Sequence, residues 1–383
     1  MNEHHQQTTE DDHQTRPLWL PQDEADRVPP AQTPSARSWR TRFALVLLVP
    51  LLVATGFVAG RELGGEETTA SPGVSERDVS SAAPAPLPDE VAADEPVAAI
   101  AERVLPSVVQ IDTGFGVGAG VIYDADGLII TAAHVVEGAN VVDVRLSTGR
   151  RIEGRVLGSD PNSDIAVVRA DASNLPAATL AEDEPTVGQL AVAIGSPFGL
   201  ESTVTAGVVS AVNRAVQRPD GTFQTMVQTD APINPGNSGG ALVDRTGRVI
   251  GINDAIRTTT GGNQGVGFAV PIDVVRWVAD RIINGEPVEP AMLGVSGGPV
   301  PDGRAGALVT QVIPGSPADD AGIREGDVIT TIDGTFVESM EDLAAVIRSI
   351  PPGEEVTLEV ERDDATLELT TTLEAQSEVQ ETG

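Results

Sequence analysis

The chain has 383 residues, 40% hydrophobic but only 3% aromatic, so its cores must be built from aliphatic side chains. It carries 57 acidic against 24 basic residues, every basic one an arginine, for a formal net charge of −33. A surface of that sign repels phosphate backbones and excludes nucleic acid as a partner.

The composition also narrows the chemistry. Without cysteine there are no disulfides, thiolate metal sites or cysteine nucleophiles, and without lysine there are no Ser–Lys dyads or Schiff bases. Of four histidines, His4, His5 and His13 lie in a polar N-terminal stretch, which leaves His134 as the one histidine in a segment patterned for folding. Any imidazole acid–base chemistry must use it. A multi-histidine metal site is excluded, and neither a metal nor an organic cofactor is expected.

Residues 1–42 are polar, contain proline and lack apolar periodicity, so they read as a disordered tail. Arg37, Arg40 and Arg42 then precede an uncharged apolar run over 43–60, about the length a bilayer requires. This predicts one transmembrane helix with the tail in the cytoplasm and the rest of the chain outside it. Pro50 is tolerable in such a helix. The small residues closing the run also fit a cleaved signal peptide, but the long tail ahead of it favours an uncleaved anchor. Residues 61–96, rich in Pro, Ala, Ser and acids, read as a flexible linker.

From 97 to 283 short β-branched runs alternate with Gly, Asn and Asp turns. The runs are at 108–111, 120–123, 128–131, 141–146, 165–169, 190–194, 203–212, 225–229, 241–243 and 249–252. Such spacing predicts an antiparallel sandwich or barrel, with helices over 96–104 and 272–283. After a Gly-Glu-Pro connection a second unit occupies 291–376. Its strands are near 307–312, 328–332 and 356–361, and its helix over 339–349 is stopped by Pro351-Pro352-Gly353. The fold class is mostly β, followed by a smaller α+β unit.

Three segments carry chemistry. In Asp230-Ala231-Pro232-Ile233-Asn234-Pro235-Gly236-Asn237-Ser238-Gly239-Gly240, small turn-forming residues leave the Ser238 hydroxyl accessible and let neighbouring amides converge on one point. In Thr131-Ala132-Ala133-His134, a strand gives way to the lone histidine. In Ser163-Asp164-Ile165-Ala166, Asp164 opens an apolar run that draws it toward the interior. Each has a plainer reading by itself: a Gly/Asn/Ser turn, a structural histidine, a turn or capping aspartate. Together they supply nucleophile, base and orienting carboxylate in the order His, Asp, Ser, which is the chymotrypsin-type order and agrees with a double β-barrel.

The chain resembles the HtrA/Deg family of serine proteases. The resemblance is carried by Gly118-Ala119-Gly120-Val121-Ile122, Ala133-His134-Val135-Val136, Ser163-Asp164-Ile165-Ala166-Val167-Val168 and Ala193-Ile194-Gly195-Ser196-Pro197-Phe198-Gly199. It continues through Thr205-Ala206-Gly207-Val208-Val209-Ser210, the Ser238 segment, Ile250-Gly251-Ile252-Asn253 and Gly265-Val266-Gly267-Phe268-Ala269-Val270-Pro271. The second unit resembles that family's PDZ domain, through Leu293-Gly294-Val295, Gly315-Ser316-Pro317-Ala318 and Gly326-Asp327-Val328-Ile329. The resemblance implies an ATP-independent endoprotease acting on unfolded or partly folded proteins outside the cytoplasmic membrane. Its catalytic residues would be His134, Asp164 and Ser238, with an oxyanion hole from the amides of Gly236, Asn237 and Ser238. Substrate would be lined by Ile233, Gly265, Val266, Gly267 and Phe268, an apolar pocket for aliphatic P1 residues. Peptide C-termini would bind at Leu293, Gly294 and Val295. Loops at 213–222 and 258–262 are the candidates to couple PDZ occupancy to Ser238. The family's trimer contact uses aromatic residues near the start of the protease domain, where Phe115 stands here, so a homotrimer stays open. Two rivals remain: a non-enzymatic or loop-locked chaperone or PDZ scaffold on a protease fold, and a narrowly specific signalling protease.

Overall fold

The computed structural model describes residues 96–196, 203–218, 220–234, 236–254 and 265–377. The tail, the apolar run at 43–60 and the 258–262 loop lie outside the described residues. Among the described residues no helix is long and apolar enough to cross a membrane.

Two closed six-stranded barrels follow one another. The first comprises β1 (Val108–Asp112), β2 (Val117–Ile122), β3 (Leu128–Ala132), β4 (Val141–Arg145), β5 (Arg151–Asp160) and β6 (Ile165–Ala170), in the order β1-β2-β3-β6-β5-β4. The second comprises β7 (Leu190–Gly195), β8 (Thr203–Gln217), β9 (Phe223–Thr229), β10 (Ala241–Val243), β11 (Val249–Asn253) and β12 (Gly267–Pro271), in the order β7-β8-β9-β12-β11-β10. The second barrel repeats the strand order of the first, six strands on, and closure leaves neither with an open edge.

The sequence spacing misses two of these strands. β5 turns only Ile152 and Val156 toward the core, with glycines at 154 and 158 between them, so its apolar face is too thin to read, and β12 reads as pocket lining although all five of its residues are buried. β8 also runs five residues past the expected end. It stays paired with β9 out to Gln217 and Phe223, which reduces the expected 213–222 loop to a tight turn after Arg218.

Strand alternation sorts the first barrel's side chains between two cores. Val109, Ile111, Ile129, Ala166 and Val168 fill the barrel interior. Val108, Leu128, Ile130, Ile165 and Val167 face the other way and join the larger cluster formed with the second barrel. These strands are therefore apolar on both faces. Helix α1 (Pro96–Val104) adds Ile100 and Val104 to that cluster, and α2 (Ile272–Asn284) adds Val274, Val275 and Val278 before Gly285 ends it.

The second unit is one antiparallel sheet. Its order is β14 (Val295–Pro299), β15 (Ala307–Val312), β16 (Val328–Ile332), β18 (Glu355–Arg362) and β19 (Ala365–Thr372), with the short β17 (Thr335–Phe336) pairing β16. A small pair, β13 (Ala291–Met292) with β20 (Glu374–Ala375), closes its ends, and α3 (Pro317–Asp320) is a single turn. In α4 (Met340–Ser349) the Ser339 hydroxyl caps the helix by accepting from the Asp342 amide at 3.2 Å, and Leu343, Val346 and Ile347 pack on Ile329, Ile332 and Leu358. β14 forms one edge of the sheet, and α4 lies against β14 and also against β8 and β9.

The carboxylate of Asp327 is 1% exposed and is held by Arg362, whose Nε and Nη2 each donate at 2.7 Å. Replacing the guanidinium strands that charge in the interior. Arg362→Met should lower the free energy of unfolding by about 3 kcal/mol, read from urea denaturation.

Candidate active site

His134 leaves the barrel where β3 ends, in the single 3-10 turn Ala133–Val135. Asp164 follows the turn between β5 and β6 and adopts a left-handed φ of 58°, a conformation that aspartate tolerates better than most residues. That turn is clamped by Asp160, which accepts from the Ser163 amide at 2.9 Å and the Ser163 hydroxyl at 2.6 Å, while Gln224 of the second barrel donates to the Ser163 carbonyl at 3.1 Å. The held carboxylate then grips His134 at two points: Oδ1 accepts the His134 amide at 2.9 Å and Oδ2 pairs with Nδ1 at 2.7 Å. An ionised carboxylate at Nδ1 assigns the ring proton there and leaves Nε2 as an acceptor.

Burial alone would lower the His134 pKa, but the hydrogen bond and charge of Asp164, with the charge of Asp254, outweigh it and raise the pKa above the usual imidazole value. Burial conversely pushes Asp164 up, and its bonds and charge interaction with His134 bring it below the ordinary carboxylate range.

Ser238 sits where both barrels meet. Its carbonyl accepts the amide of Ala119 in the first barrel at 2.9 Å, and the next amide, Gly239, donates to Asn253 of the second at 2.8 Å. Gly239 has a φ of 81°, and a Cβ there would lie 2.2 Å from the Ala119 carbonyl oxygen and 2.3 Å from Thr131 Oγ1, so only glycine fits. The Ser238 hydroxyl donates to the Asp254 carbonyl at 3.3 Å and makes no hydrogen bond to the imidazole.

The three amides expected at the oxyanion hole divide. Asn237 donates to the Asn234 carbonyl at 2.9 Å, because the turn closes on itself there, so its amide is already spent. The amides of Gly236 and Ser238 donate to no acceptor among the described residues.

Sequence reasoning missed two neighbours of His134. The carboxylate of Asp254, just past β11, has Oδ1 4.0 Å from Nδ1 of His134, and its Oδ2 receives Nη1 of Arg218 at 3.0 Å. Nη2 of Arg218 lies 4.0 Å from Asp164. Asp254 directly follows the Ile250–Asn253 segment that carried the resemblance, which was its one local signal; Arg218 lies in the 213–222 segment named as a coupling loop, where nothing singled it out. His134, Asp164 and Asp254 offer ligand atoms within 4.8 Å of one another, but the guanidinium already supplies the cation of this cluster.

Residues 118–252 match the family model described as trypsin-like peptidase domain, and 308–362 match a PDZ domain. A probable periplasmic serine endoprotease, DegP-like, of Halomonas elongata is 43% identical over 266 residues, covering 67% of this chain and 56% of that protein. Periplasmic serine endoprotease DegP of Escherichia coli is 41% identical over 275 residues, covering 69% and 58%. The solved structure of the HtrA-type protease AlgW with a tripeptide superposes with a TM-score of 0.59 at 37% identity, covering 73% of this chain and 97% of that one. The chain belongs to the HtrA family of serine proteases. It spans just over half the length of the two DegP relatives.

The remaining expected HtrA site residues fall in two places. Ile233 is fully buried, and a Cβ on Gly267 would come within 2.9 Å of its δ-methyl, so these two meet; Val266 is half-buried beside them and Gly265 is exposed. Phe268 belongs to the core, paired with Gln228 across β12 and β9. In the PDZ unit the carbonyls of Leu293 and Gly294 accept from Ala318 and Ile313, and Val295 begins edge strand β14. The amides of Leu293 and Gly294 donate to no acceptor among the described residues.

The His134 titration should have its midpoint above 6.5. In Asp164→Asn it should move to lower pH, because the anion is lost and burial remains. NMR of the imidazole protons, assigned with His134→Ala, reads both.

Proposed function

We propose that the chain is an ATP-independent serine endoprotease. Ser238 attacks the scissile carbonyl, His134 takes its proton and returns it to the leaving amine, and Asp164 fixes the tautomer and stabilises the imidazolium. The observation that carries this reading is the two-point grip of Asp164 on His134, at 2.7 and 2.9 Å, beside a serine on a turn with two amides unpaired among the described residues. Before attack the hydroxyl must turn from the Asp254 carbonyl to Nε2, an adjustment usual between resting and substrate-bound sites. The amides of Gly236 and Ser238 then take the oxyanion; one such donor is worth about 10²–10³ in turnover. The apolar contact of Ile233 with Gly267 suits an aliphatic P1 residue such as Val, Ala or Leu.

The matched relatives are named periplasmic endoproteases, and the arginines ahead of the uncharged 43–60 run favour the same side of the membrane here. We place the folded part outside the cytoplasm, tethered by that run and acting on unfolded or partly folded proteins. In the PDZ unit the amides of Leu293 and Gly294 are placed to take a peptide's terminal carboxylate, while edge strand β14 takes the peptide as an added strand. Helix α4 flanks that strand and lies against the β8–β9 hairpin, so occupancy has a packed route toward the cleft. A loop-locked scaffold is the second reading, favoured by the Ser238 bond to the Asp254 carbonyl.

Ser238→Ala should leave the fold intact and reduce cleavage by on the order of a million-fold. Casein and a short chromogenic peptide, tested beside the unsubstituted protein, decide between enzyme and scaffold; failure to cleave either at any pH would favour the scaffold. Peptides with apolar C-termini should accelerate cleavage of the short substrate as free acids and not as amides. Because that substrate is too small to be tethered, acceleration reports a shift toward the cleavage-competent arrangement, whereas binding without acceleration would leave the PDZ unit as a tether only.

A further inference from the structure

We propose that Asp254, clamped by Arg218, is a positioning residue that sets the charge behind His134 and with it the pH at which the imidazole accepts the serine proton. The inference deepens the serine-protease reading and rests on it.

The placement is built by four separate elements. The Asp254 amide donates to the Phe268 carbonyl at 3.0 Å, anchoring the residue between β11 and β12. From there Oδ1 approaches Nδ1 of His134, on the turn after β3, to 4.0 Å. Arg218, on the β8–β9 turn, donates Nη1 to Oδ2 at 3.0 Å and Nη2 to the Pro161 carbonyl at 3.4 Å. Its Nη2 also lies 4.0 Å from Asp164, on the β5–β6 turn. The side chains of Arg218 and Asp254 are only 17% and 10% exposed, so solvent screens these charges weakly. Among the described residues, the charged groups facing Asp254 are thus Asp164, His134 and Arg218.

The charge count gives the effect its sign. With His134 neutral, two carboxylates and one guanidinium leave the cluster at −1; a proton on the imidazole brings it to zero. Without the Asp254 charge the same two states become zero and +1, so the proton leaves more readily. Without Arg218 they become −2 and −1, so the proton is held more tightly. Burial, then the charge and hydrogen bond of Asp164, push the Asp254 carboxyl up to about 6, close to the imidazole range, so the two groups titrate as a linked pair. A carboxylate serving only as scaffold has no reason to produce opposite shifts on removal of itself and of its arginine.

The test is the pH dependence of kcat/KM on a short chromogenic peptide. It compares the full-length protein with Asp254→Asn, Arg218→Gln and the double variant, each checked for folded content by circular dichroism. The acid limb should move down by about half to one pH unit in Asp254→Asn and up by about as much in Arg218→Gln, with the double variant between them. A limb unmoved in both, or moved the same way in both, would overturn the assignment even if kcat falls. Should one variant not fold, the sign of the other's shift decides. Absence of Ser238-dependent cleavage from the unsubstituted protein at every pH would remove the protease reading and this inference with it. Cleavage with an unmoved limb would remove only the role of Asp254.

Discussion

The buried carboxylate of Asp164 is the constraint around which the cleft is arranged. Taking an anion to 3% exposure is costly unless every lone pair finds a donor. Here the amide and Nδ1 of His134 supply two donors, with Arg218 4.0 Å away. The same bonds that compensate the burial also orient the imidazole. The left-handed backbone at Asp164 is the local cost, and it is sustained by the Asp160 clamp and by Gln224 reaching across from the second barrel. The first barrel supplies the direct bonds of that carboxylate, and the second braces the turn through Gln224 and brings Arg218 alongside.

This dependence explains why the site lies between two repeats of one topology. The first barrel contributes His134, Asp164 and the Ala119 amide; the second contributes Ser238, Asn253 and Asp254. Strands buried on both faces make the junction rigid, since one face fills the barrel and the other fills the shared core. Gly239 lets the serine turn approach the first barrel closely enough for Ala119 to reach it. With few aromatic side chains to span gaps, Ile, Val and Leu supply most of the large side chains in these cores.

Two kinds of contact therefore meet at the cleft. Backbone bonds from both barrels hold the Ser238 turn, while the charges behind His134 come from turns, at Asp164, Arg218 and Asp254. The hairpin that delivers Arg218 also supports helix α4 of the PDZ unit, beside the edge strand that suits an added peptide. The charged cluster and the edge strand of the PDZ unit thus share one packed neighbour.

Much of this was legible from residues alone. A single histidine in the patterned part of the chain, an aspartate heading an apolar run and a serine among glycines pointed to these three residues, because each type follows from the chemistry proposed for it, and the structure pairs the first two directly. Ten barrel strands were readable because their apolar runs are bounded by turn residues. β5 was not, since glycines take two of its inward positions, 154 and 158, between the half-buried Ile152 and Val156, and pairing with β4 and β6 fixes its register. The sequence could suggest that Asn237 belongs to the oxyanion turn, but only the closed turn shows its amide spent on Asn234. Asp254 and Arg218 are 36 residues apart, and nothing in either neighbourhood marks them as partners. Their meeting is set by where β8, β9 and β11 end once the barrel closes, which is a property of the packed strands and not of any local pattern.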